Sequence, residues 1–375
     1  MGLTIVADEN MPGLERFTRL GTLRRVEGRG LTADQLVDAD ILLVRSVTKV
    51  NRALLQNSRV QFVGTATIGV DHIDADYLAE QGIGWSNAPG SNANSVAEYV
   101  LSVLCHFGTR GLEAWQGKKA GIVGFGLVGR QVCSKLETLG LKVCAYDPLL
   151  PKGSFPQLAS LETVFDADVL CIHAPLTVSG DYPSQHMVSA ELWRRLRPEA
   201  CIISAGRGGV MADAEFVALL DERPDIRVAM DVWEAEPSIH WPLVPRVNIA
   251  TPHIAGYSFD GKLAGTEMIY QACLAHFGLA SVSASPSTSA SENIDVSAVA
   301  EEMQLSQAML SVYDVMVDSA RFKSLCGEPE AVRAQRFDLQ RKHYPERREC
   351  SHYRLTGLSG GVKQREMALA LGFTL

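Results

Sequence analysis

Three residues able to move a proton or hold an anion follow short apolar runs in the second half of the chain. They are Arg207 in SAGRGGVMAD, Glu236 in DVWEAEP and His253 in ATPHIAGYS. An imidazole titrates near neutrality, so His253 can take the hydroxyl proton of a 2-hydroxy acid as hydride leaves the same carbon. A carboxylate beside it, Glu236, would favour the imidazolium that forms. The planar fork of Arg207 suits a two-pronged grip on the substrate carboxylate and polarisation of the carbonyl oxygen as it develops. Taken singly, the arginine fits a surface ion pair, the glutamate a solvated loop acid and the histidine a hydrogen-bonded loop imidazole. Their joint occurrence beside a cofactor site favours one catalytic task.

That cofactor site is predicted between Lys119 and Asp147, in KAGIVGFGLVGRQVCSKLETLGLKVCAYD. The apolar run Ala120 to Val123 reads as a buried parallel strand, and GxGxxG follows it directly. Gly124 permits the tight turn, Gly126 lets the backbone approach a pyrophosphate, and Gly129 allows the helix from Leu127 to Leu139 to pack closely. The free N–H groups of that helix then face the anion. A second strand, Leu141 to Tyr146, ends in Asp147, whose carboxylate can accept hydrogen bonds from a ribose diol and would repel a 2′-phosphate. The expected cofactor is therefore NAD rather than NADP.

The elements that must position these groups alternate between strand and helix. Apolar strands are predicted at Leu3 to Ala7, Ile41 to Val44, Val60 to Val63 and Ile83 to Ser86. An amphipathic helix ends near Leu20, and a helical stretch spans Ala75 to Gln81. A long helix, Asn94 to Gly108, capped by Asn92 or Asn94, leads into the glycine-rich unit. Further strands follow at Val169 to His173, Cys201 to Ala205, Arg227 to Asp231 and Val247 to Ala250. This rhythm predicts an α/β protein with two Rossmann-like or flavodoxin-like, doubly wound parallel-sheet domains. Residues 1–93 and 257–280 would form a substrate-binding domain, returned to by the helix Phe259 to His276, and 94–256 the NAD-binding domain. The serine-rich stretch 281–293 reads as a linker, and 294–375 as a small C-terminal α+β module.

Composition narrows the class. A formal charge of −8 argues against broad nucleic-acid binding. No basic leader precedes an apolar segment and no run of apolar residues is long enough to span a bilayer, so neither export nor a membrane is expected. Eight scattered cysteines, without CxxC or His/Cys clusters, predict buried thiols in a reducing cytoplasm and no metal site.

VGFGLVG, HAPLT, SAGRGGVMAD, DVWEAEP and TPHIAGYS, in this order and spacing, resemble the D-isomer-specific 2-hydroxyacid dehydrogenase family over roughly Leu3 to His276. The resemblance implies that Arg207 and Glu236 are active-site residues and that His253 donates or accepts the proton. It implies NAD contacts from Leu127, Val128, Asp147, Ala205, Gly206, Arg207, Asp231 and Gly256, and substrate contacts from Ser46, Thr67 and Tyr257. The family more often has HTPLT, so Ala174 offers the cofactor only its backbone. A small phosphorylated 2-hydroxy acid is the implied substrate; another D-2-hydroxy acid such as 3-phosphoglycerate, or a role as an NADH-sensing corepressor, are the alternatives. The tail implies a homodimer formed through the C-terminal module. Its basic cluster of Arg341, Lys342, Arg347 and Arg348 leads to the expectation that Arg347 or Arg348 reaches the substrate phosphate.

Overall fold

The structure, a computed structural model, describes residues 2–280 and 292–375. Contacts divide the chain into two compact units, one running to Asn92 and resuming at Ser258, the other comprising Ala93–Tyr257 and the residues from Glu292 onward.

The first unit is built on five parallel strands in the order Gly21–Val26, Leu3–Asp8, Ile41–Val44, Phe62–Thr65, Gly84–Ser86. Ile41–Val44 and Phe62–Thr65 are buried throughout, as expected of central strands covered on both faces. Alternation divides their side chains between two cores. Ile41, Leu43 and Phe62 meet Ile269, Tyr270 and Cys273 of the helix Phe259–His276, whereas Leu42, Val44 and Val63 meet Leu54, Leu55 and Leu78. Ser258 caps that helix by accepting from the Gly261 N–H at 2.8 Å. Two local expectations are corrected. The helix ending near Leu20 is a 3-10 segment, Leu14–Arg19, and the edge strand Gly21–Val26 was not expected, because Arg24 and Arg25 interrupt its apolar pattern.

The second unit carries six parallel strands in the order Lys142–Tyr146, Lys119–Val123, Val169–Ile172, Cys201–Ser204, Arg227–Met230, Ile249–Ala250. The direction of strand addition reverses between Lys119–Val123 and Val169–Ile172, so the crevice at their C-terminal ends is the expected ligand position. The helix Ala93–Phe107 lies in one core with Val132, Leu136 and Ile203, and the same core takes Leu305, Ala308 and Met309 from the C-terminal residues. In a second core Phe322 places its ring centroid 5.7 Å from Trp233, 5.6 Å from Trp241 and 5.6 Å from Phe337. The C-terminal residues thus share apolar cores with the six-stranded sheet.

Neither asparagine caps the helix Ala93–Phe107 as expected. Asn92 Oδ1 is buried without a partner among the described residues, and Asn94 Nδ2 is turned to Glu98 and Glu349. Residues 281–291 of the expected linker lie outside the described residues. Glu292 and Asn293 are not linker: they open the strand Glu292–Asp295, which pairs in parallel with Tyr353–Thr356.

Candidate active site

The glycine-rich turn has the geometry its spacing predicts. Gly124 sits at φ 90°, where side chains are disfavoured, and a Cβ there would lie 2.6 Å from the Ala174 nitrogen. A Cβ on Gly129 would lie 2.1 Å from the Gly124 carbonyl oxygen, so only glycine lets the helix Leu127–Thr138 pack this closely. Gly126 differs: nothing stands within 4 Å of its would-be Cβ. The helix start has no side-chain cap, leaving its first N–H groups for an anion. Leu127 is exposed there and Val128 half-buried. The Asp147 carboxylate accepts from the Phe125 N–H at 2.9 Å and the Leu149 N–H at 3.1 Å, which fixes it beside the turn.

Across the reversal point, Ala174 and Ala205 are buried, and a Cβ on Gly206 would lie 2.8 Å from the Ala174 carbonyl oxygen. His173 has both ring nitrogens shielded and without a well-formed hydrogen bond among the described residues. Burial pulls its pKa down to about 4, so the ring is neutral at physiological pH. The open side of Gly126, the uncapped helix start, the anchored Asp147 and this orphaned imidazole fit a dinucleotide at the crevice.

Glu236 and His253 form a direct pair, Oε2 to Nδ1 at 2.7 Å. The other glutamate oxygen accepts from the Trp233 N–H at 2.9 Å. Side-chain exposures of 28 % for the histidine and 17 % for the glutamate leave the ring open to a ligand and the carboxylate mostly covered. His253 itself is held at φ 57°, an uncommon conformation for a non-glycine residue. Asp231 supports it. Its carbonyl accepts from the His253 N–H at 2.7 Å, Oδ1 accepts from the Thr251 hydroxyl at 2.6 Å and the Ile254 N–H at 2.8 Å, and Oδ2 accepts from the Ala255 N–H at 2.9 Å. Burial raises the Asp231 pKa. The carboxylate is thus committed to the loop that presents His253, and Gly256 continues that loop.

Arg207 follows the strand Cys201–Ser204 and donates from Nη1 to the Gly206 carbonyl at 3.0 Å. It is half-buried and forms no ion pair among the described residues. Its loop abuts that of Glu236, since a Cβ on Gly208 would lie 1.7 Å from the Trp233 carbonyl oxygen. All three predicted catalytic residues therefore stand after neighbouring strands at one edge of one sheet.

The predicted substrate contacts divide between the units. In the first, Ser46 is exposed after the strand Ile41–Val44, beside Arg45, which donates to the buried Asp8 at 3.0 Å. Thr67 bonds the Thr65 hydroxyl at 2.8 Å and the Gly69 carbonyl at 3.0 Å. In the second, the Tyr257 ring lies edge-on to Tyr344, centroids 5.7 Å apart. Arg347 is only 5 % exposed. Its Nη2 donates to the Ser95 and Ala255 carbonyls at 2.6 and 3.2 Å and the guanidinium stacks over Tyr313, while Nε and Nη1 are buried without a partner among the described residues. Sequence reading missed the supports: Trp233, whose N–H holds Glu236, and Thr251, which ties Asp231. Trp233 lies inside the same DVWEAEP motif, but only the fold shows what its amide does.

A family profile described as the D-isomer specific 2-hydroxyacid dehydrogenase, NAD binding domain, matches residues 107–255, and a domain of unknown function (DUF3410) matches residues 287–372. Erythronate-4-phosphate dehydrogenase of Cellvibrio japonicus is 44 % identical, covering 99 % of both chains, and that of Marinobacter nauticus 44 % identical, covering 100 % of both. Among solved structures, NAD+-bound 3-phosphoglycerate dehydrogenase of Entamoeba histolytica is 23 % identical with a TM-score of 0.60, covering 73 % of this chain and 95 % of its own. D-2-hydroxyisocaproate dehydrogenase is 20 % identical with a TM-score of 0.63, covering 75 % of this chain and 99 % of its own. Those structures share the fold, whereas the full-length relatives share the C-terminal residues as well. The chain belongs to the erythronate-4-phosphate dehydrogenases, within the D-isomer specific 2-hydroxyacid dehydrogenase family.

Proposed function

We propose that the protein oxidises 4-phospho-D-erythronate to (R)-3-hydroxy-2-oxo-4-phosphooxybutanoate with NAD, a step of pyridoxal 5′-phosphate (vitamin B6) biosynthesis. The observation that carries this reading is end-to-end identity of 44 % to relatives bearing that name, in a chain whose Glu236–His253 pair is intact. Bound NAD supplies the hydride acceptor. Gly126 would admit its pyrophosphate beside the turn that Gly124 permits and the helix that Gly129 seats, and Asp147 would accept from its ribose; Leu127, Val128, Ala174, Ala205, Gly206, Asp231 and Gly256 complete the cradle.

His253 takes the proton of the substrate 2-hydroxyl through Nε2, because Nδ1 is engaged by Glu236. The carboxylate stabilises the positive charge that the ring gains, and it stays in place because Trp233 holds its second oxygen. Arg207, which forms no ion pair among the described residues, receives the substrate carboxylate through its fork. Tyr257, Ser46 and Thr67 complete the proposed substrate contacts.

A dehydrogenase for 3-phosphoglycerate would use the same sheet edge, but the solved relative of that name reaches only 73 % of this chain. A homodimer formed through residues 294–375 belongs to the same reading, supported by exposed Met316, Val317, Val362 and Leu369 in that part. A cytoplasmic location is supported by eight free cysteines. Among the described residues no helix is long and apolar enough to cross a membrane.

The test is a substrate panel of 4-phospho-D-erythronate, 3-phospho-D-glycerate and D-lactate, following NADH formation. Highest kcat/KM for the first supports the reading, and preference for either competitor overturns it.

A further inference from the structure

An isolated buried cation calls for an anion, because taking a charge out of water costs free energy that only a partner offsets. Arg341, in the last turn of the helix Glu330–Lys342, comes close to this case: the residue is half-buried and has no carboxylate of its own in an ion pair among the described residues. Its Nε is buried without a hydrogen-bond partner among them. The guanidinium carbon stands 5.9 Å from the Tyr257 ring centroid and 5.9 Å from that of Phe337. Burial disfavours its charge, while the Tyr257 hydroxyl and the Glu236 carboxylate favour it. Glu236 is already engaged by His253 and Trp233. The helix Glu330–Lys342 thus brings a cation to the loop that carries His253 and Tyr257, while Arg207 can serve only one anionic group.

We propose that Arg341 receives the substrate phosphate and is the specificity-determining residue of the C-terminal part, with the Tyr257 ring supporting the guanidinium from one face. The proposal rests on the phosphorylated substrate proposed above. A guanidinium fork matches phosphate geometry, and its hydrogen bonds to that anion would replace the water that burial removed. The site assigns a task to residues that the solved dehydrogenases of this fold, covering 73–75 % of the chain, do not match in full.

The experiment compares wild type, Arg341→Gln and Arg341→Lys with 4-phospho-D-erythronate as substrate and D-erythronate as substrate or competitive inhibitor. Loss of a charge-assisted contact should raise KM for the phosphorylated acid about 10- to 100-fold in Arg341→Gln and less in Arg341→Lys, with the D-erythronate constant unchanged. Inhibition by inorganic phosphate should weaken in parallel. Equal losses with both acids would overturn the proposal and leave Arg341 a positioning residue for Glu236; unchanged KM would overturn it outright. Circular dichroism checks the fold, and if Arg341→Gln fails to fold, Arg341→Lys carries the same comparison. Should wild type prefer 3-phospho-D-glycerate, the substrate reading fails while the Arg341 test proceeds with that acid against D-glycerate.

Discussion

Glu236 Oε2 lies 2.7 Å from His253 Nδ1, and the backbone that presents the histidine hangs on a third residue, Asp231, through its carbonyl and both carboxylate oxygens. The arrangement separates two tasks. Asp231 fixes where the ring stands, and Glu236 fixes how it is turned and which nitrogen remains for substrate. His253→Ala should therefore lower kcat about 10²- to 10⁴-fold, the usual range for a positioned acid–base group. NADH affinity, measured by fluorescence titration, should stay near wild type. Glu236→Gln keeps the acceptor for the Trp233 N–H but loses the charge, so its smaller fall in kcat should come without a change in thermal stability.

Arg207→Lys tests the fork rather than the charge. A lysine places one ammonium where two parallel N–H groups are needed, so kcat/KM should drop about 10- to 100-fold, corresponding to one charge-assisted hydrogen bond. Steady-state kinetics at saturating NAD measure it. Wild-type constants would assign the carboxylate to another residue.

The parts legible in the sequence were those with strong local constraints. Gly124 and Gly129 could be assigned separate roles because each role excludes a side chain for a different reason, and their would-be Cβ distances follow those roles, whereas nothing stands within 4 Å of the would-be Cβ of Gly126. Ile41–Val44 was readable because a strand covered on both faces must be apolar throughout. Gly21–Val26 was not, since an edge strand tolerates Arg24 and Arg25. Glu292–Asp295 was hidden because three of its four residues are exposed and its partner, Tyr353–Thr356, is distant in sequence. The basic cluster around Arg347 and Arg348 shows charge but not direction: the Arg347 side chain turns inward, with Nη2 on the Ser95 and Ala255 carbonyls.

Asp147→Ala removes both a ribose acceptor and a negative charge, so the ratio of kcat/KM with NADP to that with NAD should rise, by about tenfold or more. The Phe125 and Leu149 N–H groups lose their acceptor as well. Asp147→Asn retains an acceptor for one of them, so a larger stability loss in the alanine variant than in the asparagine variant would separate anchoring of the turn from cofactor choice. A wild type that already prefers NADP would refute the ribose argument.

Glu98 supplies the last prediction, on stability against pH. It is fully buried on the helix Ala93–Phe107, with Oε1 accepting from the Asn94 side chain at 3.0 Å and the Cys350 N–H at 2.9 Å, while Oε2 has no partner among the described residues. Burial, followed by the Glu349 charge, raises its pKa from 4.5 to about 7. The folded state then binds a proton that the unfolded chain has released, so between about pH 4.5 and 7 this group makes stability fall as pH rises, and above about 7 its penalty is complete. At 1.36 kcal/mol per unit the penalty is on the order of 3 kcal/mol. Glu98→Gln keeps the oxygen that accepts from Asn94 and Cys350 and puts an uncharged amide in place of Oε2. Urea unfolding at pH 5.5 and 8.0 should show the variant gaining stability over wild type mainly at the higher pH. An equal gain or an equal loss at both would mean that the carboxyl does not titrate in this range.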